Sequence, residues 1–349
     1  MKILITGGSG FIGSNFIYDL ILNPEYEIYN LDYLNYSSNN NLNLISIKSN
    51  KNYNFKKIDL FDYKKLHKYI FLIKPDIIIN FAAESHVDRS INSPKIFMDS
   101  NIIGTFNILE VSKNYISKYN KKNFKFIQIS TDEVYGDMPK GKFATEISPQ
   151  FPSSPYSASK ASADNLVTAW GKTYGIPSII THCTNNYGPY QFPEKFIPHM
   201  IIKAINNKKI PIYGDGLQVR DWLHVSDHVN AIKKIMFNGK ANEIYNISSM
   251  DLLTNIDLVN KIYEILKNFS SKYNFNMKSY KEIIENVTDR PGHDRRYALQ
   301  NKKIINTLKW NKKIDIDIGL KSTVKWYLDN LNWWESIIKN NYNMERLGL

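Results

Sequence analysis

A glycine-rich turn between a strand and a helix constrains the fold of this chain more than any other feature of its sequence. Residues 2–6 are apolar and typical of a short buried strand, and a helical pattern runs from about Phe11 to Leu22. Between them, Gly7-Gly8-Ser9-Gly10-Phe11-Ile12-Gly13 contains both G-x-x-G-x-x-G and G-x-G-x-x-G. Glycines in this context let the backbone turn sharply and approach a pyrophosphate at a helix N terminus. The turn therefore predicts a dinucleotide site, although an ordinary glycine-rich turn can share the motif.

An acidic residue at the end of the second predicted strand indicates which dinucleotide is bound. Asp32 follows Gly13 by 19 residues and ends a predicted strand over residues 26–31. A carboxylate there accepts hydrogen bonds from a ribose diol and repels the 2′-phosphate of NADP. We therefore expect NAD as the cofactor. Asp59, after the third predicted strand, is either a contact to the adenine end or an ordinary surface acid.

The first half of the chain continues to alternate strand and helix patterns. Strands are predicted over residues 55–58, 77–83 and 125–130, and helices over 63–73, 96–118 and 157–173. The segment 77–83 is apolar except at Asn80, as expected for a parallel strand buried on both faces. This order predicts an α/β fold, a doubly wound parallel sheet of the Rossmann type with right-handed crossovers.

The regular alternation weakens after residue 185. Prolines and glycines cluster at 188–198 and again at 211–216, and such residues interrupt helices and strands. We therefore predict an NAD-binding Rossmann domain over residues 1–184 and a smaller C-terminal α/β substrate domain over 185–349. Residues 221–247 are expected to return to the first domain.

Composition limits the setting in which the chain works. Cys183 is the single cysteine among 349 residues, which excludes an intrachain disulfide and any multi-cysteine metal site. We expect no metal, and a reducing compartment is the simpler interpretation. No apolar run approaches the ~18 residues of a membrane span, and the N terminus lacks the long apolar segment of a signal peptide. The chain is therefore expected to be cytoplasmic, with no membrane partner.

The net charge of +12 is spread along a chain rich in lysine and asparagine. No predicted helix carries a basic stripe with interleaved aromatic residues, so no nucleic-acid partner is expected. Only six of the 45 basic residues are arginines, and arginine can grip a phosphate or carboxylate with two parallel hydrogen bonds, as lysine cannot. Each of the six arginines is therefore a candidate for such a contact, and the alternative is that some are present by chance without this role. They are Arg89, Arg220, Arg290, Arg295, Arg296 and Arg346.

A tyrosine and a lysine in one predicted helix form a candidate catalytic pair. Tyr156 and Lys160 lie four residues apart, so both face the same side of that helix. A nearby ammonium favours the phenolate and is expected to lower the pKa of Tyr156, which makes it a candidate base. Two other tyrosine–lysine pairs share the spacing, but Tyr156 follows the strand 125–130. Its position predicts a place at the sheet edge where open α/β sheets bind ligands.

Two adjacent carboxylates follow the same strand. Asp132 and Glu133 come directly after Thr131, and like charges placed side by side at a strand end repel each other, which suggests a function. One carboxyl group can stay protonated as an acid while the other serves as a base. The alternative is a pair of solvated turn acids.

Seven segments of the chain carry motifs that occur in a fixed order. The segments are Gly7–Gly13, Ala82-Ala-Glu-Ser-His-Val-Asp-Arg-Ser90, Ser130-Thr-Asp-Glu-Val-Tyr-Gly136, Ser153-Ser-Pro-Tyr-Ser-Ala-Ser-Lys160, Asn185-Asn-Tyr-Gly-Pro189, Arg220-Asp-Trp222 and Asp289-Arg-Pro-Gly-His-Asp-Arg-Arg296. Taken together, they resemble the dTDP-glucose 4,6-dehydratase family of extended short-chain dehydrogenases/reductases. The resemblance runs from residue 2 to about residue 330, and its most specific parts are Thr-Asp-Glu and Asp-Arg-Pro-Gly-His.

The resemblance implies an NAD-dependent hydro-lyase that converts dTDP-glucose to dTDP-4-keto-6-deoxyglucose and water. Tyr156 would take the C4 hydroxyl proton while the C4 hydride passes to NAD, and Lys160 would hold the nicotinamide ribose. Glu133 would remove the C5 proton, Asp132 would protonate the departing C6 hydroxyl, and hydride would then return to C6. Thr131 would contact the sugar near C4.

The resemblance also implies two sets of binding residues. Those for NAD are Gly7, Gly10, Phe11, Ile12, Gly13, Asp32, Asn35, Asp59, Leu60, Ala82, Ala83, Ser85, Ser100, Tyr156, Lys160 and Asn186. Those for the nucleotide sugar are Ser85, Thr131, Asn185, Lys195, Phe196, Pro211, Tyr213, Arg220, Asn255, Asp289, Arg290 and His293. A homodimer is implied as well, formed through the predicted helices 96–118 and 157–173.

The chain departs from the family pattern in two places. Tyr33, Asn35 and Ser37-Ser38 differ at the adenosine rim, and Ser248-Ser249 replaces a glycine pair near the nucleotide. The nearest alternatives are a UDP- or GDP-sugar 4,6-dehydratase and a 4-epimerase, and the paired carboxylates argue against the epimerase. A catalytically silent NAD-binding regulator is the alternative from another class of protein.

Overall fold

The computed structural model describes residues 1–340, 342 and 344. In this part of the chain the strands are β1 (Lys2–Thr6), β2 (Glu27–Asp32), β3 (Tyr53–Lys57), β4 (Ile77–Asn80), β5 (Lys125–Thr131), β6 (Ser178–Cys183), β7 (Asn185–Tyr187), β8 (Ile210–Tyr213), β9 (Val219–His224), β10 (Glu243–Ile247), β11 (Leu252–Thr254) and β12 (Ile284–Val287).

The helices lie between and after these strands. They are α1 (Phe11–Leu20), α2 (Tyr63–Ile73), α3 (Val87–Asn92), α4 (Pro94–Phe97), α5 (Gly104–Tyr119), α6 (Pro155–Tyr174), α7 (Phe196–Ile205), α8 (Val225–Asn238), α9 (Asn255–Tyr273), α10 (Tyr280–Ile283), α11 (Lys302–Leu308), α12 (Ile316–Asp329) and α13 (Leu331–Asn340). No helix among the described residues is both long enough and apolar enough to pass through a bilayer.

A seven-stranded parallel sheet forms the larger part of the molecule, in the order β10-β6-β5-β4-β1-β2-β3. Alternate side chains of its strands enter two separate cores, with Ile3 and Ile5 on one face and Leu4 on the other. The strand order reverses direction between β1 and β4, and open α/β sheets bind ligands in the crevice at that point. The Rossmann-type fold class is confirmed.

The smaller part of the molecule has its own core beneath two small sheets. Strands β11, β9 and β7 form one sheet and β12 pairs with β8 in the other, while α7, α9, α12 and α13 supply much of the packed apolar surface. The segment 221–247 is shared between the two parts, because β9 lies in the small sheet and β10 lies at the edge of the large one. The domain boundary at residue 185 stays a prediction.

Two predicted elements are wrong in extent. The helix predicted over 96–118 is three segments, because α4 ends at Phe97 and a π-helical stretch, Met98–Ile103, precedes α5. The strand predicted over 77–83 ends at Asn80, because the chain leaves the sheet where Ala82 passes close to the backbone of Gly7. In both places the irregular backbone lies beside the ligand crevice.

Candidate active site

One cavity of about 540 Å³ opens at the carboxyl ends of the large sheet. Its walls come from the segments that follow β1 to β6 and from the loop before α7. All sixteen residues predicted to bind NAD line it, and so do the five candidate catalytic residues. Of the candidate sugar-binding residues, it is lined by Ser85, Thr131, Asn185 and Lys195. The fold thus brings together residues that are up to 188 positions apart, from Gly7 to Lys195.

The glycine turn has no room for side chains where it meets the cavity. Gly7 has φ +68°, and a Cβ on it would lie 2.6 Å from the backbone nitrogen of Ala82. A Cβ on Gly13 would lie 2.6 Å from the carbonyl oxygen of Gly7. Gly10 precedes α1 without a side-chain cap, so the first N–H groups of that helix point to this wall. These features fit a pyrophosphate held at the helix N terminus.

Replacing Gly7 by alanine is expected to lower the free energy of unfolding by about 1–3 kcal/mol, since the new Cβ meets backbone atoms in a left-handed conformation. NAD binding should be lost with it, because the displaced turn is part of the cradle. Urea unfolding and titration with NAD measure the two effects. Gly141→Ala is a matched control, since Gly141 also has a positive φ but nothing lies within 4 Å of its Cβ position. Wild-type NAD affinity in the Gly7 variant would contradict the role.

Asp32 lies at the end of β2 and is held from two sides. Its Oδ2 accepts a hydrogen bond from the N–H of Ser9 at 3.0 Å, and its Oδ1 accepts one from Leu34 at 2.7 Å. Burial raises the pKa of Asp32, and these N–H groups oppose the rise. The carboxyl group lines the cavity beside the glycine turn, where a ribose diol would meet it.

The two adjacent carboxyl groups have different surroundings. Thr131 caps a short 3₁₀ turn, Asp132–Tyr135, that directly follows β5. Burial, together with Glu133 and Asp221, raises the pKa of Asp132 well above its usual value, which favours the protonated acid. Burial also raises the pKa of Glu133, but three cations oppose this rise. They are the side chains of Arg290, Arg220 and Lys195.

Both carboxyl groups have an oxygen with no protein partner. Among the described residues, three buried side-chain oxygens accept no hydrogen bond from the protein. They are Oδ2 of Asp132, Oε2 of Glu133 and Oδ1 of Asn185. All three residues line the same cavity. A buried polar atom without a partner is costly, so these atoms are suited to meeting polar groups of a ligand. The pair can act as one acid and one base within a single site.

Helix α6 places the tyrosine and the lysine side by side on one face. Ser154 and Ser157 form a capping box at its N terminus, on either side of Pro155 and Tyr156. The pKa of Tyr156 is raised well above its usual value by burial and by Glu133, while a hydrogen bond with Thr131 opposes the rise. The expected lowering of the Tyr156 pKa is therefore wrong. The Nζ of Lys160 donates to the carbonyl oxygen of Ile129 at 2.7 Å.

The remaining candidate sugar-binding residues lie outside the lining of this cavity. Phe196 stacks on Trp222 with ring centroids 6.1 Å apart, and Pro211 lies in β8. Asp289 accepts hydrogen bonds from Gln218 at 2.8 Å and shares a 2.6 Å contact with His293. The group consists of Phe196, Pro211, Tyr213, Arg220, Asn255, Asp289, Arg290 and His293. Their roles stay predictions.

The scarce arginines form specific contacts in the part of the chain that is described. Arg290 pairs with Asp88 at 2.8 Å, and Tyr213 donates to the same carboxylate at 2.9 Å. Arg220 is buried, stacks over the ring of Tyr297 at 4.2 Å, and donates to two backbone carbonyls. Arg295 grips Asp215 with two bonds, and Arg296 holds backbone carbonyls. Arg346 lies outside the described residues.

Several cavity residues were not singled out by the sequence as binding residues. Glu84 accepts a hydrogen bond from Asn35 at 2.7 Å, and Glu194 pairs with Arg89 at 2.8 Å. Cys183, the single cysteine, is buried and borders the cavity close enough to Lys160 to interact with it electrostatically. No spacing rule marks these positions, because the chain reaches them through loops whose contacts are long-range. The acidic residues in the segments 82–90 and 193–195 were the available signal.

Comparisons with known proteins agree with this geometry. A family model described as GDP-mannose 4,6 dehydratase matches residues 4–323. A dTDP-glucose 4,6-dehydratase from Neisseria meningitidis is 45% identical over 99% of this chain and 99% of its own length. Among solved structures, a dTDP-glucose 4,6-dehydratase from Bacillus anthracis in complex with NAD is similar, with a TM-score of 0.85 and 45% identity, covering 97% of this chain and 99% of that one.

A second solved structure is similar over the same extent. It is a dTDP-glucose 4,6-dehydratase from Streptomyces venezuelae with NAD and TYD bound, with a TM-score of 0.88 and 37% identity, covering 97% of this chain and 100% of that one. These three relatives are all named as dTDP-glucose 4,6-dehydratases, whereas the family model carries the name of a related dehydratase. This chain therefore belongs to the dTDP-glucose 4,6-dehydratase family.

Proposed function

We propose that this protein is an NAD-dependent hydro-lyase that converts dTDP-glucose to dTDP-4-keto-6-deoxyglucose and water. One observation carries the proposal beyond family membership. Asp132, whose pKa burial raises well above its usual value, and Glu133, on which three cations act to lower the pKa, share a cavity with Tyr156 and the glycine turn. An enzyme that only oxidises or epimerises C4 has no use for this additional pair.

NAD fits the residues that surround the cavity. The glycine turn leaves space for the pyrophosphate of NAD, and Asp32 lines the cavity where it can contact a ribose diol. Lys160 and Tyr156 line the same cavity and are assigned to the nicotinamide end. When bound, NAD supplies a hydride acceptor that is regenerated within each turnover. The chain's part is to hold the dinucleotide in place and to exclude water around the reacting carbon.

Tyr156 takes the proton of the C4 hydroxyl as that carbon is oxidised. Its hydroxyl is linked to Thr131, which keeps the phenol at the end of β5 beside the two carboxyl groups. Lys160, fully buried one helical turn away, supplies a positive charge to this corner of the cavity. Thr131 also lies where it can donate to the C4 oxygen.

Glu133 removes the C5 proton, which the C4 ketone makes acidic because the resulting carbanion is an enolate. Asp132 gives its proton to the C6 hydroxyl, which leaves as water, so that a double bond joins C5 and C6. When hydride returns to C6, Glu133 gives the proton it holds back to C5, which completes the product. The free buried oxygen on each group is the atom that meets the sugar. Proton transfers by positioned groups of this kind contribute about 10²–10⁴-fold each to the rate.

The nucleotide end of the substrate is assigned to the residues of the smaller part of the molecule. Arg220 and Lys195 are the candidates for the diphosphate, and Arg220 also lies close enough to influence Glu133 electrostatically. Asn255 and Asp289 both contact Gln218, through a backbone and a side-chain hydrogen bond. Ser248 and Ser249 replace a glycine pair. Each hydroxyl donates to Asp221 at 2.5 Å, which restrains the chain around the two serines.

Internal hydride return is the signature of this reaction. With dTDP-glucose carrying deuterium at C4, we expect the label at C6 of the product, because the hydride that leaves C4 returns to the same molecule. Mass spectrometry and NMR of the product locate the label. Label lost to solvent would contradict the mechanism, and bound NAD without turnover would favour a silent NAD-binding regulator. UDP- and GDP-sugars assayed in parallel decide the base specificity.

We propose a cytoplasmic homodimer. The exposed edge of α5 and α6 supports the dimer, because Phe106 and Tyr174 are exposed there on either side of Trp170. The rings of Phe106 and Trp170 meet edge to face at 5.7 Å, which continues an aromatic row across both helices. Light scattering of the purified chain measures the mass, and a monomer at all concentrations would contradict the dimer.

A further inference from the structure

Three side chains from three separate segments meet at the rim of the cavity. Tyr36 begins a 3₁₀ stretch, Tyr36–Ile47, that follows Asp32; Arg89 lies in α3; and Glu194 lies in the loop before α7. The residues on either side of Tyr36, namely Asn35, Ser37 and Ser38, line the cavity on its Asp32 side. A hydrogen bond made by Tyr36 therefore restrains residues 35–38, which form the wall expected to face the dinucleotide and are called the 35–38 wall below.

Glu194 receives a different donor on each oxygen. The Nε of Arg89 donates to Oε2 at 2.8 Å, and the hydroxyl of Tyr36 donates to Oε1 at 2.7 Å. The guanidinium of Arg89 also lies 3.9 Å from the centre of the Tyr36 ring. Charge-assisted hydrogen bonds and cation–π contacts are both strengthened when the groups are shielded from water, and the Glu194 side chain is only 1% exposed.

The same loop also reaches the cavity segment that follows β4. Lys195, the neighbour of Glu194, donates to the backbone carbonyl of Ser85 at 2.7 Å, although the two are 110 residues apart. Phe192 packs edge to face against Tyr36 at 5.5 Å. The loop 192–195 thus contacts the 35–38 wall through Tyr36 and contacts the segment after β4 through Lys195.

We propose that Tyr36, Arg89 and Glu194 form a clamp that retains the nicotinamide cofactor throughout each turnover by holding the 35–38 wall in place beside it. The three are positioning residues, since they act through that wall. The need for such a device rests on the proposed function: a cofactor reduced and reoxidised on one sugar must not leave while the sugar is a ketone. If the 35–38 wall were not held in place, NADH could leave before hydride had returned to the sugar.

Release of the reduced cofactor tests the clamp without substrate. Protein loaded with NADH is mixed with excess NAD, and the decay of bound NADH fluorescence gives the release rate. We expect Tyr36→Phe and Glu194→Gln each to speed release about tenfold, the change that one lost hydrogen bond to a charged group produces. In the double variant the effects should be less than multiplicative, because the two residues act as one unit.

A matched control and a second variant keep the test decisive. Tyr273→Phe removes another tyrosine–carboxylate bond, 2.6 Å to Asp329, far from the cavity, and should leave release unchanged. Should Tyr36→Phe fail to fold, Arg89→Lys keeps the charge but loses the flat stack, and should also speed release. Release within about twofold of the parent in these variants would overturn the clamp. A parent chain that takes up no NADH would instead overturn the proposed function, and the clamp with it.

Discussion

Replacing Glu133 by glutamine is expected to stop the reaction after its first half, so that enzyme-bound NADH accumulates on mixing with dTDP-glucose. The amide has nearly the same shape but cannot accept the C5 proton, whereas Tyr156 and NAD are untouched and can still oxidise C4. Turnover should fall by about 10²–10⁴-fold, the usual contribution of a positioned base. Stopped-flow absorbance of the nicotinamide follows the NADH, and product formation is measured in the same sample.

The accumulation separates this role from a structural one. Glu146→Gln is a matched control, because Glu146 accepts a backbone hydrogen bond from Asn246 at 3.1 Å and an amide oxygen can accept it as well. We expect the control to turn over normally with no NADH build-up. Undiminished turnover in the Glu133 variant, or lost turnover with no NADH formed, would remove Glu133 from the elimination step.

Local patterns in the sequence predict most of the cofactor half of the site. The glycine turn, Asp32 and the Tyr156–Lys160 pair depend on short spacings next to a strand or helix, and a parallel sheet then brings its strand ends to one edge. Their arrival in one cavity follows from the βαβ order alone. The other cofactor-binding residues were predicted from the family resemblance.

Other features depend on contacts that no local pattern contains. The break in the helix predicted over 96–118 places Ser100 at the cavity, and periodicity cannot distinguish a π-helical stretch from an ordinary helix. The clamp partners Tyr36 and Glu194 are 158 residues apart. The pKa of Tyr156 is raised by burial and by Glu133, and Lys160 donates to a backbone carbonyl. A four-residue spacing reveals neither.

Replacing Tyr156 by phenylalanine is expected to abolish the first half of the reaction, so that neither NADH nor product forms. The ring still packs edge to face on Phe97 at 6.3 Å, so the loss is confined to the hydroxyl that takes the C4 proton. Turnover should fall by about 10²–10⁴-fold, with NAD still bound. Tyr115→Phe is a matched control, since its hydroxyl donates to the carbonyl of Pro75 away from the cavity.

The pH dependence gives this prediction a second, independent measurement. Because the pKa of Tyr156 is raised, the phenolate is the minor form at neutral pH, and its fraction grows as the pH rises towards that pKa. The Glu133→Gln change removes one cause of the raised pKa, but burial, the larger cause, remains. The initial rate of NADH formation in the Glu133→Gln protein should therefore increase with pH. Adding Tyr156→Phe should remove both the rate and its pH dependence. Oxidation that persists in the double variant with an unchanged pH profile would show that another group takes the C4 proton.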